Sequence, residues 1–534
     1  MNLKPESKAI RALKLESKAV RAPVLPWTSA PRRDKPLKLE SKAIRAAVAK
    51  LKFRTQAFID GQFAKAQSGK TFTTENPATG LPLAQIAACE APDVDLAVKA
   101  ARRAFESGAW SRQAPADRKR VLLKFAGLLE ANAGELALLD TLEAGKPIGD
   151  CATMDIPDTI HCIRWHAEAI DKLYSHVSPT GPENLGLILR EPVGVVGCVV
   201  PWNFPAQMVA WKVGPALATG NSVVLKPAEL TSLSAIRMAE LAAQAGLPPG
   251  VFNVVPGFGE TAGQALGRHA DVDMVAFTGS TEVGRYFLKY SAESNLKRII
   301  LECGGKSPQV VFADAPDLEV VAGNAVSAAF WNMGENCSCG SRLIVHKTIK
   351  DELVARIAKL AKTWTVGDPL DPQNRLGAMI EKPHLEKVLG YIAAGKAEGA
   401  RLVMGGKRIL ENTGGYFVEV TIFDEVTNRM KIAREEIFGP VLSVIPFSTE
   451  EEAVAIANDT NYGLAASLYT RDLNTAHRVA RAIRAGTVSV NCFSEGDSAT
   501  PFGGFKESGF AGRDKSIWAH EQYTELKTIW MRLG

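Results

Sequence analysis

Between residues 193 and 278 the sequence switches repeatedly between two hydrophobic periods, and that alternation leaves few architectures open. Apolar runs at 193–200, 222–226, 252–255 and 273–278 have the length of buried strands. The stretches between them, 202–217, 232–245 and 261–267, place apolar residues at helical spacing. Strand then helix, repeated, predicts a parallel sheet covered by helices, with ligands at the carboxyl ends of its strands. A second region of the same kind begins at 309–312, passes through a helix over 318–331, and returns at 443–447, 450–458 and 487–491. The predicted class is α/β with two parallel-sheet domains, and 534 residues are ample for both.

The flanks read differently. Phe58-Ile-Asp-Gly61 and Asn76-Pro-Ala-Thr-Gly80 are strand–turn signals, followed by helices over 94–107, 118–131 and 159–174. Strand character at 186–191 and alternation at 525–531 suggest an edge element. Residues 1–50 repeat a decapeptide three times, beginning at Leu3, Leu13 and Leu37, and carry 13 Lys/Arg against four Asp/Glu. The rest of the chain is mildly acidic, so the formal charge of +5 does not argue for nucleic acid. Ten-residue repeats split by prolines are too short for stable isolated helices, so 1–50 reads as a basic, disordered appendage, with a partner for the repeats left open. No apolar run approaches the roughly 18 residues of a membrane helix. Eight scattered cysteines without a secretory h-region point to a reducing cytoplasm, and the lack of a C-x-x-C or H-E-x-x-H motif gives no metal site.

Chemistry concentrates in Trp331-Asn-Met-Gly-Glu-Asn-Cys337-Ser-Cys339-Gly-Ser-Arg342. Small residues around Cys337 leave its sulfur approachable, although a free cysteine reads equally well as inert core. Thirty-five residues upstream of Cys337 lies Glu302, in Leu301-Glu-Cys-Gly-Gly-Lys-Ser307. Further back are Pro201-Trp-Asn-Phe-Pro205, Lys226-Pro-Ala-Glu229 and Phe277-Thr-Gly-Ser-Thr-Glu-Val-Gly284; downstream is Glu435-Glu-Ile-Phe-Gly-Pro440. No local pattern pairs Cys337 with any of the eight histidines, which counts against a cysteine hydrolase.

In this order these motifs resemble the NAD(P)-dependent aldehyde dehydrogenase superfamily, from about Phe53 to the C-terminus. Within it the chain is most similar to the bacterial γ-glutamyl-aminobutyraldehyde and guanidinobutyraldehyde dehydrogenases. The resemblance implies an NAD-binding domain from 51–173 and 193–304, a catalytic domain over 305–510, and a small β oligomerisation element from 174–192 and 511–534. It implies a homodimer or homotetramer acting on a small-molecule aldehyde, with no nucleic-acid or membrane partner. Cys337 would be the nucleophile, Asn203 an oxyanion donor and Glu302 the base that hydrolyses a thioester. The cofactor would lie against Val199, Val200, Pro201, Trp202, Lys226, Glu229, Gly257, Phe277, Gly279, Ser280, Gly284, Glu436 and Phe438. A carboxylate such as Glu229 beside a ribose 2′-hydroxyl favours NAD over NADP. Met333 and Cys339 depart from the family pattern, and a second thiol two residues from the nucleophile raises the prospect of a reversible disulfide.

Substrate choice rests on carboxylates. Asp155 and Asp158 are spaced to share one helix face, and Glu495 and Asp497 lie in a long loop that the resemblance places at the substrate mouth. Acid there attracts a cation. With Phe204, Trp211 and Trp331 as an aromatic wall, the expectation is an ω-amino, guanidino or γ-glutamylamino aldehyde. Neutral aliphatic or aromatic aldehydes, and betaine aldehyde, are the alternatives.

Overall fold

The computed structural model describes residues 41–534. Its first sheet has eight strands, in the order Gln62–Ala64, Ala57–Ile59, Phe252–Val254, Ser222–Lys226, Val195–Val199, Met274–Thr278, Arg298–Glu302 and Gly509–Phe510. The five from Phe252–Val254 to Arg298–Glu302 run parallel. The chain steps twice to one side of Val195–Val199, then crosses back to Met274–Thr278 on the other. Such a reversal opens a crevice at the carboxyl ends of the two strands. The inner strands are buried throughout, which is why they read as unbroken apolar runs such as Val-Val-Gly-Cys-Val.

The second sheet has seven strands: Arg401–Met404, Thr421–Asp424, Val441–Phe447, Arg342–His346, Pro308–Val311, Ala465–Tyr469 and Thr487–Val490. All but the first pair are parallel, so the expected second α/β region is present. A separate three-stranded sheet pairs Asn184–Pro192 along its whole length with Thr524–Arg532, and at its other edge with His176–Ser178. Val177, Leu526 and Trp530 are exposed on it.

Three expectations need correction. The helix predicted over 202–217 begins at Pro205, because proline fits the first helical turn and Trp202, Asn203 and Phe204 stay non-helical. The helix predicted over 159–174 ends at Ala169, where Asp171 leaves helical backbone angles. Part of the span expected as a disordered appendage, 1–50, is folded: the helix Ser41–Val48 buries Ile44 and Ala47 against the main core and ion-pairs Arg45 with Asp368. The remaining repeat residues, 1–40, and any partner for them lie outside the described residues.

The helices Ile156–Ala169 and Ser516–Gln522 meet through two buried histidines. His166 Nδ1 and His520 Nε2 are 2.8 Å apart, one donating to the other. Burial holds His166 well below the ordinary imidazole range and His520 at about 3. The unfolded chain therefore takes up protons below pH about 6.5 that the fold refuses. Stability is complete above that pH and falls as the pH drops, by up to about 1.4 kcal/mol per pH unit for each histidine. His520→Gln is expected to flatten the decline in denaturant-unfolding free energy between pH 7 and 5; an unaltered slope would mean that other groups cause it.

Candidate active site

The crevice of the first sheet faces the second sheet across the segment that joins them, and the motif residues collect there. Asn203 follows Val195–Val199, Glu302 ends Arg298–Glu302, and Cys337 follows a tight turn after the helix Leu318–Phe330. In that turn Asn332 and Met333 hold left-handed angles, φ 55° and 57°, uncommon for residues with side chains. The Asn332 side chain helps hold the turn by donating to the carbonyls of Glu335 (2.9 Å) and Asn203 (3.1 Å).

Asn203 is fixed from several sides. Its amide donates to Glu335 O at 3.0 Å, and its backbone carbonyl also accepts Lys146 Nζ at 3.0 Å. One amide hydrogen of Asn203 remains, and the Cys337 N–H has no acceptor among the described residues. Two preorganised donors of this kind suit a developing oxyanion.

Cys337 is partly exposed as a residue, yet its sulfur lies deep. Burial pushes its thiol well above the usual range, and the carboxylates of Glu495, Glu436 and Glu302 add to the effect. The resting group is therefore a thiol. Cys339 points elsewhere: it is buried, its Sγ donates to Ala329 O at 3.4 Å, and burial pushes it up to about 12. That engagement does not favour the disulfide with Cys337.

Glu302 is buried. Gly504 N donates to its Oε2 at 3.3 Å, while Oε1 has no hydrogen-bond partner among the described residues. Burial, then Asp514, hold its carboxyl well above the carboxylate range; Lys212 and Arg513 oppose this. Lys212 and Asp514 form a buried ion pair of 2.7 Å behind it.

Most of the residues expected to hold the dinucleotide lie at or just after strand ends of the first sheet. Lys226 Nζ pairs with Glu229 at 2.8 Å, and Val200 N donates to Lys226 O. Ser280 caps the helix Thr281–Ala292 by accepting from Val283 N at 3.3 Å, next to Gly279 and over Phe277. Gly284 lies on the inner face of that helix, against Cys303 and Leu301. Gly257 lies where a Cβ would meet Cys89 O at 2.5 Å, so the chain there must be glycine. Glu436 accepts from Gly305 N at 2.9 Å, and burial raises it to about 7. A Cβ at Gly304 would overlap its other oxygen, so glycine is what lets that carboxylate lie flat on the strand-to-strand connection. Phe438 packs edge-on against Trp202, with ring centroids 5.3 Å apart, and His384 bonds its carbonyl at 2.6 Å. Carboxylates for hydroxyls, an ammonium, and a helix start for phosphate form a donor set that fits a dinucleotide.

The expected acidic mouth is only partly built. Asp155 is not at its surface: it ends a π-turn, is buried, and pairs with Lys146 at 2.6 Å. Removing either partner would strand a charge at a cost of about 3–5 kcal/mol. Its part is to hold Lys146, whose ammonium lies 3.6 Å from the Phe204 ring centroid and bonds Asn203. Asp497 is used by its own loop, accepting from Ala499 N at 2.9 Å. Asp158 accepts from Gln207 (2.6 Å) and Trp211 (3.4 Å), and Glu495 accepts from Asn336 (3.0 Å) and Ser338. Phe204 packs on Trp331, and Trp211 on Phe502.

Lys146, Asn332, Lys212, Asp514 and Lys515 were not singled out by sequence. A lone lysine after the apolar stretch 136–144 was the available signal for Lys146; Lys515, in Arg-Asp-Lys-Ser, gave none.

The Aldehyde dehydrogenase family matches residues 63–529. The aminoacetaldehyde dehydrogenase of Pseudomonas aeruginosa is 58% identical over 483 residues, 90% of this chain and 97% of its own. A γ-glutamyl-γ-aminobutyraldehyde dehydrogenase of Burkholderia cenocepacia superposes with a TM-score of 0.91 at 54% identity, covering 92% of this chain and 100% of its own. The P. syringae indole-3-acetaldehyde dehydrogenase AldA, in complex with NAD+ and IAA, gives 0.91 at 55% identity, covering 92% and 99%. The chain belongs to the aldehyde dehydrogenase family. The family drawn from its motifs, and the α/β fold that came with it, both hold.

Proposed function

We propose that this protein oxidises aminoaldehydes to carboxylic acids with NAD. The convergence of Cys337, Asn203 and Glu302 at the carboxyl ends of the first sheet carries the reading. Cys337 Sγ, once its proton is lost, attacks the aldehyde carbon. The resulting oxyanion is held by the Asn203 amide and the Cys337 N–H. NAD, when bound, supplies the hydride acceptor that takes the thiohemiacetal to the thioester. Glu302 removes a proton from water as it attacks the thioester; the acid leaves and the thiol is restored. Glu229 and Glu436 would bind ribose hydroxyls, and Glu229 favours NAD over NADP.

The nitrogen in the substrate is supported by two observations. Asp158 and Glu495 keep carboxylates beside Trp211 and Cys337, and two relatives are named for amino-bearing aldehydes. The exposed apolar residues of the three-stranded sheet support a homodimer or homotetramer. Eight unpaired cysteines support a cytoplasmic setting.

The test is NAD reduction against 4-aminobutanal, 4-guanidinobutanal, a γ-glutamylamino aldehyde and hexanal. The nitrogen-bearing aldehydes should exceed hexanal in kcat/KM by roughly tenfold or more, the range of one charge contact. NAD should exceed NADP. Hexanal equal to or better than all three would overturn the substrate reading and leave the enzyme class standing.

A further inference from the structure

Lys515 is the cation of this mouth. It precedes the helix Ser516–Gln522 with φ 63° and ψ 174°, a conformation that residues with side chains rarely adopt and that the surrounding contacts must enforce. Its side chain is buried, the whole residue only 4% exposed. Nζ donates to Glu495 O at 3.1 Å and lies 4.8 Å from the Trp211 ring centroid and 5.4 Å from that of Phe502. Among the described residues no carboxylate lies within 4.0 Å of it, whereas the neighbouring buried lysines Lys212 and Lys146 each have one. A buried ammonium without a counter-ion is costly, and two ring faces offset only part of that.

The opposite charge stands at the ring nitrogen of the same indole. Trp211 Nε1 and Gln207 Nε2 both donate to Asp158 Oδ2, leaving Oδ1 without a partner among the described residues. One aromatic wall therefore carries an ammonium with donors to spare and a carboxylate with an acceptor to spare. The complement of the pair is a ligand with both charges.

We propose that Lys515 and Asp158 are specificity residues for the far end of the substrate, Lys515 binding an α-carboxylate and Asp158 an α-ammonium. The substrate class is an aldehyde that ends in an amino acid, as a γ-glutamylamino aldehyde does. This rests on the aminoaldehyde reading above and narrows it.

The experiment compares two aldehydes that differ only at that end: 4-(γ-glutamylamino)butanal, and the same molecule with hydrogen in place of the α-carboxylate. The readout is their ratio of kcat/KM in the wild type, Lys515→Met and Lys515→Arg, with NAD binding by fluorescence quenching as the check on folding. The wild type should prefer the carboxylate-bearing aldehyde by roughly 10–100-fold, the range of a desolvated charge contact. Lys515→Met should bring the ratio close to one, chiefly through KM, and Lys515→Arg should keep most of it. A ratio unchanged in Lys515→Met, or near one in the wild type, overturns the proposal. Failure of the aminoaldehyde reading is separate, because it shows as hexanal outrunning both compounds in the wild type.

Discussion

Replacing Cys337 by alanine is expected to lower kcat by on the order of 10⁴-fold or more, because no other group near the oxyanion donors can form the covalent adduct. NADH absorbance measures the loss, and retained NAD binding separates it from misfolding. The neighbouring thiol is no substitute, since Cys339 is committed to the Ala329 carbonyl and carries a thiol pushed up to about 12. Cys339→Ala should therefore keep turning over. Turnover surviving in Cys337→Ala and lost in Cys339→Ala would exchange their roles. Burial and the surrounding carboxylates raise the Cys337 thiol, so the thiolate grows with pH and acylation should quicken as the medium becomes more alkaline.

Glu302→Gln should separate the two halves of the reaction. The variant should still release about one NADH per site in a rapid burst, then turn over about 10²–10⁴-fold more slowly than the wild type, the usual worth of a general base. Because burial and Asp514 raise the Glu302 carboxyl well above the carboxylate range, its basic form grows as pH rises. Wild-type deacylation should climb with pH, and the variant should lose that climb. A burst slowed as much as the steady state would place Glu302 before hydride transfer and remove its role in hydrolysis. Rapid-mixing absorbance distinguishes the outcomes.

The parts legible in the sequence are those whose physics is local. Strands such as Val195–Val199 and Met274–Thr278 are buried along their whole length, so nearly every residue is apolar and the run stands out. Motif glycines next to Glu302 and Cys337 were visible for a similar reason: where backbone must pass close to a side chain, no other residue fits. The helix Ala133–Ala144 was missed because it is buried nearly all round and shows no amphipathic stripe. Asp155 was misplaced for a different reason. Its partner Lys146 is nine residues away with a helix boundary between them, so spacing on one helix face could not show that its charge was already neutralised. Lys515 needs still more, since one of its rings comes from Trp211, about three hundred residues away, and the other ring and its carbonyl from the loop that holds Glu495 and Phe502.

The tail after Phe510 serves two ends of the molecule. Asp514 and Tyr523 are buried near Glu302, Lys515 is buried over the Trp211 ring and His520 against His166, and the residue after Tyr523 starts the strand that pairs with Asn184–Pro192. Fourteen residues separate Lys515 from Trp530, which is exposed on that strand. For anyone handling the protein, the choice of terminus for an affinity tag or surface tether is consequently a choice about catalysis. Traction on Gly534 is carried along one paired strand and then the helix Ser516–Gln522 to Lys515.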